Sequence, residues 1–543
     1  MIALVVVLCL TGVSAAAGEV SKVDSIVGDD TNVHDAFGGS VDIDGDYVVV
    51  GAETADCQDT GNEEVNTQRS TCGAAYVFQR RVVIRGFPPF TYRSEHYEQI
   101  AKLVARDEGN QQGFGASVAI DDGTIVVGAP KNGDGAAYVY HSPWRGIMTE
   151  DVVLNAPTEY GTSNREFRQA VDIDGNTIVI GAPGHKQTVN DPESQTRQGA
   201  IFVYKKVREF SLEACRFLNP MTSNIVVGCL LTAVNGPTSV ITVEQSGRIS
   251  DITGDGSLAY RGNLGISVAL LGSYVFSGSS EAQFYVEPSI TSTSGAIYRC
   301  IHTKYIRSGS SYCSEIQHPD YRSVDTGNGF GSVIAAGRQL GEGAIVIGAP
   351  HQNCDRQARV TSEATEPNIS NCGAAYYAGE KLNPGAVLSS NAHFGASVAA
   401  AGPLAIVGAP HQECAHASEV APWETQCGAV YLFSSLRSEW TTAEHTLHLG
   451  EQAKNSSFGS AVAAEEHPTG YGYVFAVGAS MASMESCRRS PNAQSDCGAV
   501  HIYRYRNSPL ERIDLAIRQT EACVQNIYQC IIGRSATPLG FGD

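Results

Sequence analysis

The sequence predicts an all-β chain, a propeller of seven stacked four-stranded sheets. Three observations carry that prediction. A Phe-Gly step, a hydrophobic hairpin and a Gly-Ala-Pro turn recur in series. A Gly-Ala-aromatic strand follows each copy after a polar loop. The composition is globular and turn-rich, with 42% hydrophobic residues, 17% charged residues and 57 glycines in 543 residues.

The copies read "FGGSVDIDGDYVVVGAE" from Phe37, "FGASVAIDDGTIVVGAP" from Phe114 and "FRQAVDIDGNTIVIGAP" from Phe167. Then come "LGISVALLGSYVFSGSS" from Leu264 and "FGSVIAAGRQLGEGAIVIGAP" from Phe330. The last are "FGASVAAAGPLAIVGAP" from Phe394 and "FGSAVAAEEHPTGYGYVFAVGAS" from Phe458. In each, two short β-branched runs flank a turn, and several turns carry Asp-Gly, the signal for a tight hairpin because Gly accepts positive φ. Gly-Ala-Pro ends the second strand, since Pro cannot donate to a continuing ladder. "GAAYVY" at Gly135 and its equivalents return as a third strand, and runs such as "EQIAKLVA" at Glu98 supply a fourth. Repeated sheets of this kind bury their faces only against one another, and a closed ring satisfies all of them. The Phe of each copy is expected to wedge between blades. "VSKVDSIV" at Val20 is expected to pair with the C-terminal blade and close the ring.

The first residues, 1–17, read as a secretory signal: Ile2–Leu10 is apolar and Ser14–Ala17 is small. Residues 18–505 are assigned to the propeller. Residues 506–543 are a C-terminal tail, a closing strand or the start of a further repeat. No later stretch has the ~20 apolar residues of a membrane helix. The formal charge of −20 argues against nucleic acid or an anionic membrane as partner.

Apart from Cys9, the fourteen cysteines fall into near-neighbour pairs: Cys57/Cys72, Cys215/Cys229, Cys300/Cys313, Cys354/Cys372, Cys414/Cys427, Cys487/Cys497 and Cys523/Cys530. An even count in an exported chain points to disulfides, although spacing alone does not fix connectivity. None shows the C-x₂-C spacing of a zinc site.

Phe-Gly followed by Gly-Ala-Pro resembles the FG-GAP repeat, the unit of the seven-bladed propeller that heads integrin α chains. The resemblance runs from about Val20 to Tyr505. It is weakest at Phe167-Arg168 and at Leu264, where Ser-Gly-Ser replaces Gly-Ala-Pro. Irregularity is expected in the long stretch between Tyr204 and Leu264. The family resemblance implies calcium in an Asp-rich loop between the first two strands. Here Phe and the Gly of Gly-Ala-Pro are fourteen residues apart in copies one, two, three and six, so that loop has contracted to a turn. "DIDGD" at Asp42, "DIDGN" at Asp172 and "DITGDG" at Asp251 do not supply the six or more converging oxygens a hard cation needs. No cofactor and no metal ligand is therefore assigned; calcium is conceivable but unsupported by the loop lengths.

No nucleophile elbow, zincin helix or P-loop is present, so no catalytic residue is assigned and the chain is expected not to be an enzyme. The resemblance implies that partners meet the loops between second and third strands, together with those from each fourth strand to the next blade. In four copies a cysteine follows the second strand and another precedes the third. The loop ends lie close, which predicts Cys57–Cys72, Cys354–Cys372, Cys414–Cys427 and Cys487–Cys497. The partner-binding rim is placed at His351, Gln352, His411 and Gln412. Equivalent loops on adjacent blades could bring His351 and His411 together, with His185 in a similar place, but histidines on such a rim are read as solvated and not as ligands. Asn368 and Asn455 head glycosylation sequons. The expected function is a secreted or cell-surface module binding an extracellular protein or glycan. The alternatives are a structural spacer of an extracellular coat or matrix and, more distantly, a hydrolase with an unrecognised site.

Overall fold

A computed structural model describes residues 18–56, 71–87, 90–105, 113–131, 135–141, 149–155, 170–185, 199–210, 239–249, 258–260, 262–286, 290–293, 295–301, 313–317, 328–338, 343–354, 370–414, 426–436, 440–449, 455–470, 472–482 and 497–507. These residues form seven four-stranded antiparallel sheets and one small three-stranded sheet. Blade one comprises Ser40–Asp44, Tyr47–Ala52, Ala74–Phe87 and Phe90–Leu103. Blade two comprises Ser117–Asp121, Thr124–Ala129, Ala136–His141 and Thr149–Asn155. Blades three to six repeat the order from Val171, Val268, Val333 and Ser397. In blades one, two, three, five and six, strands consecutive in sequence are antiparallel neighbours in the sheet.

The seventh blade joins the two ends of the chain. Glu19–Ile26 pairs with Ala499–Arg506 beside Tyr473–Ala479 and Phe458–Glu466, as expected of the N-terminal strand. Charges reinforce this closure where blades seven and one meet. Asp24 Oδ2 accepts the Tyr97 N–H at 2.7 Å. Glu95 lies 3.6 Å from Arg80, 3.5 Å from His467 and 3.6 Å from Arg504. Burial alone would raise the Glu95 pKa, but these neighbours outweigh it and hold the carboxyl below its ordinary value.

The repeat motif has a steric cause. A Cβ on Gly51, the Gly of Gly-Ala-Glu in blade one, would overlap the carbonyl oxygen of Gly115, the Gly of Phe-Gly in blade two. The same pairing recurs at Gly181 with Gly265, Gly278 with Gly331, Gly348 with Gly395, Gly408 with Gly459 and Gly478 with Gly38. Each pair lets two backbones approach where blades meet. The Phe wedges as expected: Phe37 packs edge-on against Tyr76 at 5.4 Å, within a core shared with Val474, Ala476 and Ile502 of blade seven. Seven such cores occupy the junctions between blades, which is how sheets unable to bury both faces alone become stable together.

The fourth blade is the irregular one. Leu258–Tyr260, just ahead of Leu264, pairs with a hairpin of Gln283–Val286 and Ile290–Thr293 inserted between its second and third strands. The proposed signal, Asn368, the third Asp-rich candidate at Asp251 and most of the tail lie outside the described residues, as do Cys57, Cys215, Cys229, Cys487, Cys523 and Cys530. Among the described residues no helix is long and apolar enough to cross a membrane.

Candidate functional site

Antiparallel connections sort the loops onto two ends of the ring. First-to-second and third-to-fourth connections lie at one end. Second-to-third loops, and the connections to the next blade, lie at the other.

At the first end the acidic turns act as latches between blades. Asp121 Oδ2 accepts the Gly175 N–H at 2.6 Å, and Asp174 Oδ2 accepts the Gly272 N–H at 2.9 Å. Glu465 accepts the Gly45 N–H, and Asp44 accepts backbone N–H groups of Asp122 and Gly123. One residue pair deeper, Asp42 holds the N–H groups of Ile43 and Ile120, and Asp172 those of Ile173 and Leu270. The "DIDG" runs therefore bind the next blade's backbone. Desolvation pushes Asp172 and Glu465 up to about 7, against the opposing pull of their N–H donors, and neighbouring carboxylates add to the rise. Desolvation likewise raises Asp42 well above the ordinary carboxylate range.

The other end is polar and braced. Cys354–Cys372 and Cys414–Cys427 clamp the second-to-third loops of blades five and six, with Cα atoms 5.8 and 5.0 Å apart. Cys72 and Cys497 are disulfide-bonded as well, their expected partners lying outside the described residues. Cys300–Cys313 is different in kind: it joins directly opposed residues of the third and fourth strands in blade four.

Three imidazoles meet between blades five and six. His351 follows Gly-Ala-Pro in blade five, His411 follows it in blade six, and His393 precedes the blade-six Phe394. The Nδ1 atoms of His393 and His411 are 2.9 Å apart. Ring centroids lie 4.9 Å apart for that pair and 5.4 Å apart for His351 and His393. Backbone hydrogen bonds fix each position: the N–H groups of His351, His393 and His411 donate to the carbonyls of Asn328, Asn371 and Ala392. His393 is held at φ 55°, a left-handed backbone that few non-glycine residues adopt. Desolvation first, and then the neighbouring His411 and His351, lower the His393 pKa to about 4; desolvation lowers that of His411. Around them Asn371 Nδ2 donates to Asn391 Oδ1 at 3.2 Å, and the Ser389 backbone N–H donates to Gln412 Oε1 at 3.2 Å. Among the described residues no group of three or more His, Cys, Asp or Glu side chains is placed to hold a metal ion.

One rim assignment needs correcting. Gln352 is 6% exposed and accepts the Tyr376 hydroxyl hydrogen at 2.8 Å, so it ties the loop to its own blade and does not face outward. His185 is buried at 1% exposure, edge-on to Phe202 at 5.9 Å, away from the imidazole group. His393 escaped the sequence reading. Its signal was the repeat register: in blades two, five and six the residue before the blade's Phe lies beside the residue after that blade's Gly-Ala-Pro. A Cβ at Gly113 would meet Lys131, and one at Gly329 would meet His351.

The model of the FG-GAP repeat matches residues 20–78, 97–140 and 159–204, the first three copies. FG-GAP repeats at these three positions, set in a ring of seven blades, support an FG-GAP β-propeller. No curated protein matches this propeller. Among solved structures, it resembles a Trypanosoma rangeli sialidase in complex with the inhibitor DANA at 9% identity and a TM-score of 0.35, covering 71% of this chain and 54% of that one. A mutant of the same sialidase displaying trans-sialidase activity gives 9% identity and 0.33, covering 74% and 55%. The subtype N11 neuraminidase-like protein of A/flat-faced bat/Peru/033/2010 (H18N11) gives 10% identity and 0.28, covering 71% and 85%. The FG-GAP chain thus spans about half the length of the trypanosomal sialidases. The expectation that it is not an enzyme does not stand, because these similar structures are sialidases and a neuraminidase-like protein. With every TM-score below 0.5, the likeness carries no argument for a particular reaction.

Proposed function

We propose that this FG-GAP propeller is an extracellular recognition module that binds a protein or glycan through its disulfide-braced rim. The observation that carries the reading is the contrast between the two loop ends. At one end, first-to-second turns carry carboxylates that hold neighbouring blades. The other presents long polar loops fastened by Cys354–Cys372 and Cys414–Cys427 beside His351, His393 and His411. Loops on a rigid scaffold are where binding concentrates, and bracing lowers the ordering cost on association.

Secretion fits the apolar leader and the disulfides, which persist in oxidising compartments. Asn455, exposed and on the same rim, fits a glycosylation position, as does the sequon at Asn368. The test is replacement of 351–371 and 411–426 by short Gly-Ser turns, with the remaining bridge halves Cys372 and Cys427 changed to Ser, followed by cross-linked capture from native extracellular material. The recognition reading expects folded variants that lose the parent's partners. Unchanged capture by both variants would favour the spacer reading.

A further inference from the structure

We propose that His351, His393 and His411 form a binding site for a divalent transition ion of the zinc class, with the His393 and His411 Nδ1 atoms as a preset pair and His351 as the ligand that turns in. This goes beyond the recognition reading and stands on the imidazole geometry alone.

Zinc is held by imidazole nitrogen at about 2.0–2.1 Å in a tetrahedral array, which puts two ligating nitrogens about 3.3 Å apart. The observed Nδ1 separation of 2.9 Å needs a widening of only a few tenths of an ångström. Ring centroids test the third ligand. A centroid lies about 1.1 Å beyond its ligating nitrogen, so two imidazoles on one tetrahedral ion have centroids about 5 Å apart. The observed 4.9 Å between His393 and His411 fits, and 5.4 Å sets His351 beside His393, from where it has to turn towards His411. His351 is exposed, so its ring turns without displacing packed neighbours. The scaffold is already ordered by the backbone bonds to Asn328, Asn371 and Ala392 and by the two disulfides. Imidazole ligands suit zinc, copper and nickel over magnesium and calcium, which prefer oxygen. Three histidines leave a fourth position for water or for a donor from a partner.

The alternative is a plain hydrogen bond, with one Nδ1–H donating to the other Nδ1. Zinc titration of the oxidised, chelator-dialysed full chain by calorimetry distinguishes the two, with cobalt(II) absorption as an independent report of tetrahedral nitrogen ligation. The expected result is one saturable zinc per chain, resisting competition by excess magnesium or calcium. Affinity should fall by more than about tenfold in His411→Gln and in His393→Asn. Asn is chosen at 393 because it tolerates the left-handed backbone, and thermal unfolding of each apo variant confirms that it folds. Absence of saturable binding, or binding undiminished in the folded double variant, would overturn the proposal. Either outcome leaves the loop-replacement test of partner binding unaffected.

Discussion

The two ends of the ring use one repeat in opposite ways. At the turn end, Asp44, Asp121, Asp174 and Glu465 reach the next blade's backbone. At the loop end, blades five and six present braced loops and an imidazole group, and no two loops have the same sequence. Blades four to six carry Leu271, Arg338 and Ala401 where blades one to three carry the latching aspartates. The repeat's stabilising chemistry is therefore concentrated from blade seven round to the entry of blade four. The imidazole group lies between blades five and six, where no such carboxylate stands at the end of the first strand.

The largest effect should come from a change that belongs to neither end. Gly51→Val would drive a side chain into the Gly115 carbonyl at the junction of blades one and two. Overpacking against backbone that cannot move away is expected to cost about 3 kcal/mol or more, read as a large fall in the chemical-denaturation midpoint. A variant as stable as the parent would remove the steric account of the motif.

Opening the Cys354–Cys372 bridge by paired Ser substitutions comes next. Closing a loop of separation 18 is worth about 3 kcal/mol in the unfolded state. If bracing serves binding, affinity should fall even at temperatures where the variant is fully folded. A loss of stability with no loss of binding would assign the bridge to protection of the loop alone.

Changing pH separates the ends because they titrate in opposite senses. Asp172 and Glu465 have folded-state pKa values raised to about 7, so the folded chain holds their protons more tightly than the unfolded chain. Their contribution is full below the ordinary carboxylate range and is lost as pH rises towards about 7. His393 is lowered to about 4 and His411 is lowered too. Their contribution is full above the ordinary histidine range and is lost as pH falls through it. Thermal unfolding from about pH 4.5 to 7.5 should therefore show Glu465→Gln gaining on the parent as pH rises, and His393→Asn gaining as pH falls. Parallel profiles for the two variants would refute the contrast.

A single latch is the smallest term. Asp174→Ala removes the acceptor of the Gly272 N–H, an exposed bond expected to contribute about 1 kcal/mol. Binding at the rim should not change.

Much of the fold was legible because its steric demands are written in residue type. The glycine pairs, the wedging Phe and the third-strand Tyr recur in register, and the N-terminal strand had a vacant blade edge to fill. The destinations of side chains were harder to read. "DIDG" has the composition of a cation loop, yet Asp42 and Asp172 turn to N–H groups of the next blade, a partner some 80 to 100 residues away in sequence. His351 and His411 stood out through a shared Gly-Ala-Pro-His. His393 sits before Phe394, where only the contact across the repeat reveals its place.

The division between the ends is tested most directly by measuring thermal unfolding and partner capture on two chains side by side. One carries Asp121→Ala with Asp174→Ala; the other has 351–371 and 411–426 replaced by Gly-Ser turns, with Cys372 and Cys427 changed to Ser. The latch variant is predicted to unfold at lower temperature and to capture partners as the parent does, whereas the loop variant should remain folded and capture none. A latch variant that loses its partners while folded, or a loop variant that keeps them, would contradict the account.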